Sequence, residues 1–201
     1  MKNIICKYLP VMLCMLHACK SPTGHEKLVT EEKDFNKTYQ EVWQIESKRT
    51  EEVDDIFYGI HFKMTVAEFY DHCNNMYKQH IFNGGYNMQV SVKLDSFFSR
   101  SVKLFFYPSF DKPFISKLKS HFTFTNANIF NKADRSGVLM KELIPVLMNW
   151  YHGNKFMEMP PDNPVKGLGY VKVDANRKIT VIESDNGTEV DVIYEDLKPS
   201  H

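Results

Sequence analysis

Apolar positions recur along the chain in two periods, and the switches between them mark the elements. From Asp34 to Glu52 the apolar residues Phe35, Tyr39, Val42, Trp43 and Ile45 stand among many charges. Their spacings of about four, three and four predict one face of a helix. Ile56 to Phe62 reads as a short strand. It leads into Thr65-Val66-Ala67-Glu68, a capping box: the Thr65 hydroxyl can accept from the Glu68 amide while the Glu68 carboxylate reaches back. Met64 and Phe69 occupy the hydrophobic-staple positions around it. A helix is predicted from Val66 to about His80, with Val66, Phe69, Tyr70, Cys73, Met76 and Tyr77 on its apolar face, ending before Asn83-Gly84-Gly85.

After the double glycine the period becomes two. Met88, Val90, Val92 and Leu94 alternate with Asn87, Gln89, Ser91 and Lys93, the pattern of a half-buried antiparallel strand. A second strand is expected over Val102–Tyr107, stopped by Pro108. A third runs from about Ile115 to Thr125, with Ser120, Phe122 and Phe124 facing one way and Lys119, His121 and Thr123 the other. The polar stretch 126–137 reads as loop. A second helix follows from about Val138 to Tyr151, with Leu139, Leu143, Val146, Leu147 and Trp150 on its core stripe. Pro145 is expected to bend or break it, and Gly153 is placed to cap it. Met157–Pro164 reads as a rigid connector. Three more strands are predicted at Gly169–Val173, Lys178–Glu183 and Glu189–Glu195, joined by turns at Asp174–Arg177 and Asp185-Asn186-Gly187. Asn186-Gly187 is the favoured two-residue hairpin pair. The expectation is therefore an α+β domain over residues 34–201. It would hold two successive helix-βββ units, at about 56–126 and 137–197, with helices packed on one face of an antiparallel sheet.

The first residues follow a different logic. Lys2 and Lys7 lead into an apolar run from Tyr8 to Leu16, then a cysteine, which is the layout of a secretory signal peptide. The run is less than half the roughly 20 residues a spanning helix needs, and Pro10 interrupts it. Its ending, Leu16-His17-Ala18-Cys19, resembles the lipobox of bacterial lipoproteins. That resemblance implies cleavage after residue 18, a lipid on Cys19 and anchoring in a membrane. Lys20 in place of Asp implies delivery to the outer membrane. The lack of an acidic stretch in Lys20–Gly24 implies a periplasm-facing position. Residues 19–33 are polar, without periodicity, and read as a lipidated tether of about 20 Å root-mean-square span.

Charge and cysteine counts narrow the classes. Lys+Arg and Asp+Glu are 25 each, so the chain has no basic surplus and no electrostatic footprint for nucleic acid. Of the 4 cysteines, Cys6 and Cys14 would leave with the signal and Cys19 would carry lipid. Cys73 is then alone, and no intramolecular disulfide is possible in the mature form.

Little in the chain signals a reaction. Asp71-His72-Cys73 with His80 is the one cluster of possible ligands or nucleophiles. Cys73 and His80 share a helical face about 10.5 Å apart, too far for one metal ion. The expected placement is a surface His72, a half-buried His80 and a buried, inert Cys73. There is no Gly-x-Ser-x-Gly and no His-Glu-x-x-His, and no cofactor or metal site is expected. Gly84-Gly85 and Gly167-Leu168-Gly169 are too sparse to cradle phosphate. The acidic run Glu51-Glu52 and Asp54-Asp55 reads as solvated surface, and Asn186-Gly187-Thr188 as a turn. The aromatic connections are the better candidates. If Phe97, Phe98, Phe110 and Phe114 cluster, they form an exposed apolar patch of the kind that marks a protein contact; alternatively the strands run longer and these rings face the core.

The segment Gly59-Ile60-His61-Phe62-Lys63-Met64-Thr65-Val66-Ala67-Glu68 is similar to the start of small helix-plus-meander lipoproteins, those of the barrel-assembly accessory type and the β-lactamase-inhibitor-protein fold. That resemblance implies protein binding rather than catalysis. The leading expectation is a lipid-anchored module that binds or scaffolds an envelope protein. The competing ones are an envelope hydrolase with an unsignalled site, or an inhibitor of a hydrolase acting through loops such as Asp95–Arg100.

Overall fold

The computed structural model describes residues 24–83, 90–111, 113–160 and 168–198. Expectations placed on the signal segment, Cys19, Gly84-Gly85, Met88, Lys112 and the connector beyond Pro160 lie outside the described residues. The elements run α1 (Gly24–Glu46), β1 (Asp55–Phe57), β2 (Ile60–His61), α2 (Val66–Lys78), β3 (Val90–Lys93), β4 (Val102–Asp111) and β5 (Phe114–Phe124). A 3-10 turn at Lys132–Asp134, α3 (Ser136–Trp150), β6 (Met157–Met159), β7 (Gly169–Asp174), β8 (Arg177–Glu183) and β9 (Glu189–Asp196) complete them. Seven strands form one antiparallel sheet in the order β3-β4-β5-β9-β8-β7-β6. The fold is α+β, and its two meanders join where β5 pairs with β9.

Alternation along the strands decides which face is buried. Leu118, Ser120, Phe122 and Phe124 of β5 point into the core, whereas Lys117, Lys119, His121 and Thr123 are half-exposed on the reverse face. The core is aromatic, as the composition suggests. Phe106 of β4 meets Phe57, Phe82 and Phe69 edge-on, with ring centroids 5.1, 5.4 and 6.5 Å apart. Edge-to-face pairs add about 0.5–1.5 kcal/mol each beyond the area they bury. The capping box forms as predicted: Glu68 N donates to Thr65 Oγ1 (3.2 Å) and Thr65 N donates to Glu68 Oε2 (2.8 Å). Phe69 and Cys73 of α2 are buried, but Val66, Tyr70 and Tyr77 stay exposed, so the apolar face is narrower than expected.

Several expectations give way. The helix expected from Asp34 begins at Gly24, inside the stretch read as a coil tether. His25–Lys33 is rich in Glu, Lys and Leu, strong helix formers, and those propensities outweigh the missing apolar stripe. In α1 Phe35, Tyr39, Val42 and Trp43 turn inward as predicted, but Ile45 is 67% exposed and Glu46 takes the buried position. α1 lies against β6 and β7, where Val171 and Val173 are buried on the face that Thr180 and Lys178 share, opposite to the core parity of Ile179. The expected arrangement of helices on one face therefore has no place for it. Residues 56–62 are not one strand but a hairpin. Tyr58 (φ 49°) and Gly59 (φ 77°) make a two-residue turn with both residues left-handed. Gly59 is also pressed by His72, whose ring carbon would lie 3.0 Å from a Cβ there.

Neither proline ends its element. β4 continues through Pro108, which pairs with Leu118. Val102 O accepts from Leu94 N, so the even-numbered residues of β4 aim their backbone groups toward β3. Pro108 therefore forfeits no bond to β5, and the described part of β3 ends earlier, opposite Phe106. Pro145 sits inside α3 without ending it. Its side of the helix is exposed, so water can serve the carbonyl its missing N–H leaves. Met157–Met159, taken as connector, is an edge strand on β7. The 185–188 segment is a four-residue loop rather than a two-residue turn. Gly187 (φ 74°) donates to Ser184 O (3.0 Å), and Asn186 Oδ1 accepts from Thr188 N and Glu189 N.

Candidate functional site

A cleft of about 610 Å³ opens between the β1–β2 hairpin, the end of α3 and the β7–β8 turn. Its floor is built by a buried ionic cluster. Lys172 of β7 is fully buried, a lysine on the core parity of a strand whose reverse-face valines are buried too. Its ammonium donates to His152 O (3.3 Å), to Asn154 O and to Asp174 Oδ1 (3.1 Å). Asp174 Oδ1 also accepts from Asn154 N (2.8 Å). Asp174 Oδ2 lies 2.8 Å from Lys172 Nζ but off its hydrogen-bonding direction. Gly153 is required here: its φ is 105°, and a Cβ would stand 2.5 Å from Asp174 Oδ1. The glycine expected as a helix cap thus serves a close approach.

Arg177, 5% exposed, follows at the start of β8. Its Nη1 donates to Asp55 O (2.7 Å), and its guanidinium carbon lies 4.7 Å from the Tyr151 ring centroid. Its Nε is buried with no hydrogen-bond partner among the described residues. Behind it the Tyr151 hydroxyl donates to Ile56 O and lies 3.3 Å from the Tyr194 hydroxyl. Burial pushes both phenols above their ordinary range. Glu46 ties α1 to this floor. Its carboxylate accepts from Ala175 N (2.6 Å), Asn154 Nδ2 (2.9 Å) and Arg49 Nη1 (3.0 Å). Burial opposes its charge, but the Ala175, Asn154 and Arg49 bonds outweigh that and hold it below the ordinary carboxylate value. The walls are aromatic: Phe57, Tyr58, Phe97 and Trp150, the last two edge-to-face at 5.3 Å.

The four aromatic candidates do not come together. Phe97, 44% exposed, lines the cleft. Phe98 is half-buried against the core. Phe110 packs edge-on against Phe69 at 5.9 Å, and Phe114 pairs with Asp111 beside Thr65, both near the start of α2. For Phe110 the longer strand is the right reading. The histidine expectations are reversed: His72 is half-buried with Nε2 2.7 Å from Tyr58 O, and His80 is exposed. Cys73 is buried, and burial pushes its thiol up to about 12. The acidic run is ion-paired, Glu51 with Arg49 and Glu52 with Lys63. Sequence reasoning missed Arg49, Lys172, Asp174 and Arg177 as site residues because α2, α3 and the strands β1 to β6 stand between Arg49 and the other three, which flank a turn that reads as a simple hairpin connection. The usable signal was Lys172, a charge at an inward strand position.

A second constellation stands on the reverse face of the sheet. His121 Nδ1 is 2.6 Å from Asp191 Oδ1, and Lys119 Nζ is 2.9 Å from Asp191 Oδ2. The carboxylate orients the imidazole, but the nearest hydroxyl on that strand face, Thr123, is bonded to Phe124 O. On the exposed side the imidazole meets the Tyr107 ring edge-on, with centroids 5.8 Å apart. Among the described residues no helix is long and apolar enough to cross a membrane. Comparison with known protein families, with curated proteins and with solved structures finds no match.

Proposed function

We propose that the protein is a lipid-anchored module of the bacterial cell envelope, held by acyl chains on Cys19 in the outer membrane and facing the periplasm. It binds or scaffolds a partner protein through the cleft. The composition of that cleft supports the reading: Tyr58, Trp150, Tyr151, Arg49 and Arg177 converge on it, and Trp, Tyr and Arg dominate the binding energy of protein contacts. Phe97 and Trp150 present rings to a partner, while the Lys172–Asp174 pair fixes the floor on which Arg177 stands. The order of elements, α2 before β3-β4-β5 and α3 before β7-β8-β9, supports the further reading of two helix-βββ units placed side by side. Such a duplication leaves the seam between the units as a natural cleft.

The test is photocross-linking in intact envelopes from a probe placed at Phe97, with a probe at exposed Phe130 as control. A discrete product from position 97 that is lost in Trp150→Ala and Arg49→Ala supports the reading. Identical products from both positions, or a product indifferent to both substitutions, would overturn it. Separately, Cys19→Ser should release the protein from the membrane fraction; retention there refutes the anchor.

A further inference from the structure

The loop between β5 and α3 holds the most exposed of the large hydrophobic side chains among the described residues. Phe130 is 91% exposed and its neighbour Ile129 54%. The frame beneath them is nonetheless tightly bonded. Phe130 N donates to Asn128 Oδ1 (3.0 Å), Asn131 N to Asn128 O (2.9 Å) and Asn128 N to Asp134 Oδ2 (3.0 Å). Asn131 Oδ1 accepts from Ala133 N (3.1 Å), and Arg100 clamps the loop from β4's approach through Asp134 and Ala133 O. Asp134 is turned inward, and the Arg100 and Asn128 bonds lower its carboxyl below the ordinary value. A loop this well bonded has no need to leave a phenylalanine in water, and water charges a cost for that ring. The bonded frame holds Ile129 and Phe130 at the surface side by side.

Around the tip the surface is cationic and apolar together. Lys132, Arg135 and Lys141 are exposed and line one recess with Ile129, Val138 and Leu168. The one carboxylate among those lining residues, Glu183, is drawn against the first turn of α3, its Oε1 3.1 Å from where a Cβ of Gly137 would stand. An apolar tip, Phe130 beside Ile129, next to a recess that Ile129 shares with three cations suits an interface whose outer layer is anionic and whose inner layer is apolar. It needs no complementary pocket, which a protein partner would have to supply for so isolated a ring.

We propose that this loop is a membrane-docking tip. Ile129 and Phe130 enter the interfacial layer of a bilayer, and Lys132, Arg135 and Lys141 lie over anionic lipid headgroups. The proposal is independent of acylation at Cys19 and of the cleft. The experiment uses the full chain synthesised without acylation, so that no lipid is attached, and measures its partition onto vesicles. One set is phosphatidylglycerol and phosphatidylcholine in equal parts, the other phosphatidylcholine alone. The apolar N-terminal run is common to every variant and cancels in the comparison. Phe130→Ser should weaken partition onto the anionic vesicles roughly tenfold or more, and Lys132→Gln/Lys141→Gln should remove most of the preference for them, about fivefold per cation. Both variants change exposed side chains, and unchanged circular dichroism confirms that they fold. Phe97→Ala should partition as the wild type, which separates this proposal from the cleft reading. Equal partition of wild type and Phe130→Ser, or equal partition of the wild type onto the two vesicle types, overturns the proposal. So does a photoprobe at Phe130 that couples to a protein rather than to lipid.

Discussion

Replacing Lys172 by methionine tests whether the cleft floor is held by charge. The side chain has no exposure, and its ammonium is the shared donor for His152 O, Asn154 O and the Asp174 carboxylate. Methionine fills a similar volume, so the cavity term is small and the loss is electrostatic. Breaking a buried pair by removing one partner costs about 3–5 kcal/mol. Asp174 would keep Asn154 N at 2.8 Å and Arg177 Nη2 at 3.6 Å, which places the expected cost near the lower end, about 3 kcal/mol. At about 2–4 °C per kcal/mol for a domain of this size, the midpoint should fall by roughly 6–12 °C. Thermal unfolding followed by tryptophan fluorescence reads it, since Trp150 stands at the cleft. The double variant Lys172→Met/Asp174→Asn should recover part of the loss, with a coupling of about 1–3 kcal/mol. A single-variant cost below about 1 kcal/mol, or strict additivity in the double variant, refutes the assignment of the pair as the element that fixes the floor.

Gly153→Ala should destabilise by about 1–3 kcal/mol, because its φ is 105° and the added Cβ meets the Asp174 carboxylate; thermal unfolding measures it. Cys73 should resist alkylation at pH 8 while the protein is folded, its thiol being buried and pushed up to about 12. Mass spectrometry of the Cys73 peptide should show labelling only at the rate of unfolding, and prompt labelling would contradict its burial. The Ala175, Asn154 and Arg49 bonds hold the Glu46 carboxyl below its ordinary value of 4.5 in the folded state, so it contributes stability that is present above that value and is lost as pH falls through the lower folded one. Wild type should therefore lose stability relative to Glu46→Gln only below about pH 4.5; a constant difference from pH 7 to pH 3 would show that the carboxylate charge is not what holds α1 to the β7–β8 turn.

Local signals in the sequence were faithful where one contact decided the outcome. Thr65 and Glu68 specify their own cap, and the alternation Lys119–Phe124 specifies which face of β5 is wet. The same reading failed where a distant partner decides. Pro108 looks like a stop until β3 is known to pair no further than Phe106 within the described residues. Tyr58-Gly59 carries none of the Asn or Asp that announces a hairpin, and its left-handed pair is held by the His72 bond to Tyr58 O. That bond also draws His72, which the sequence places at the surface, into a half-buried position. Glu46 reads as one more charge on a charged helix, yet two donors more than a hundred residues away, Ala175 N and Asn154 Nδ2, join nearby Arg49 in binding it where it is buried. Of the cleft, only Phe97 carried a functional expectation.

The two proposed surfaces stand at opposite ends of the same elements, and that bears on how they can work together. β8 begins with Arg177 at the cleft and ends with Glu183 at the recess below Phe130. Its seven residues separate the two by about 20 Å at 3.4 Å per residue. α3 spans the same interval, from Ser136 in the recess to Trp150 at the cleft wall. Both are packed elements of the core, so the tip and the cleft cannot approach one another without unfolding it. A molecule seated on lipid through Ile129 and Phe130 therefore holds Phe97, Trp150 and Arg177 at a fixed height above the headgroups. An acyl anchor on Cys19 alone would not fix that height. The second contact adds an orientation, and for a partner embedded in the same membrane that orientation raises the fraction of encounters in which the aromatic wall faces it.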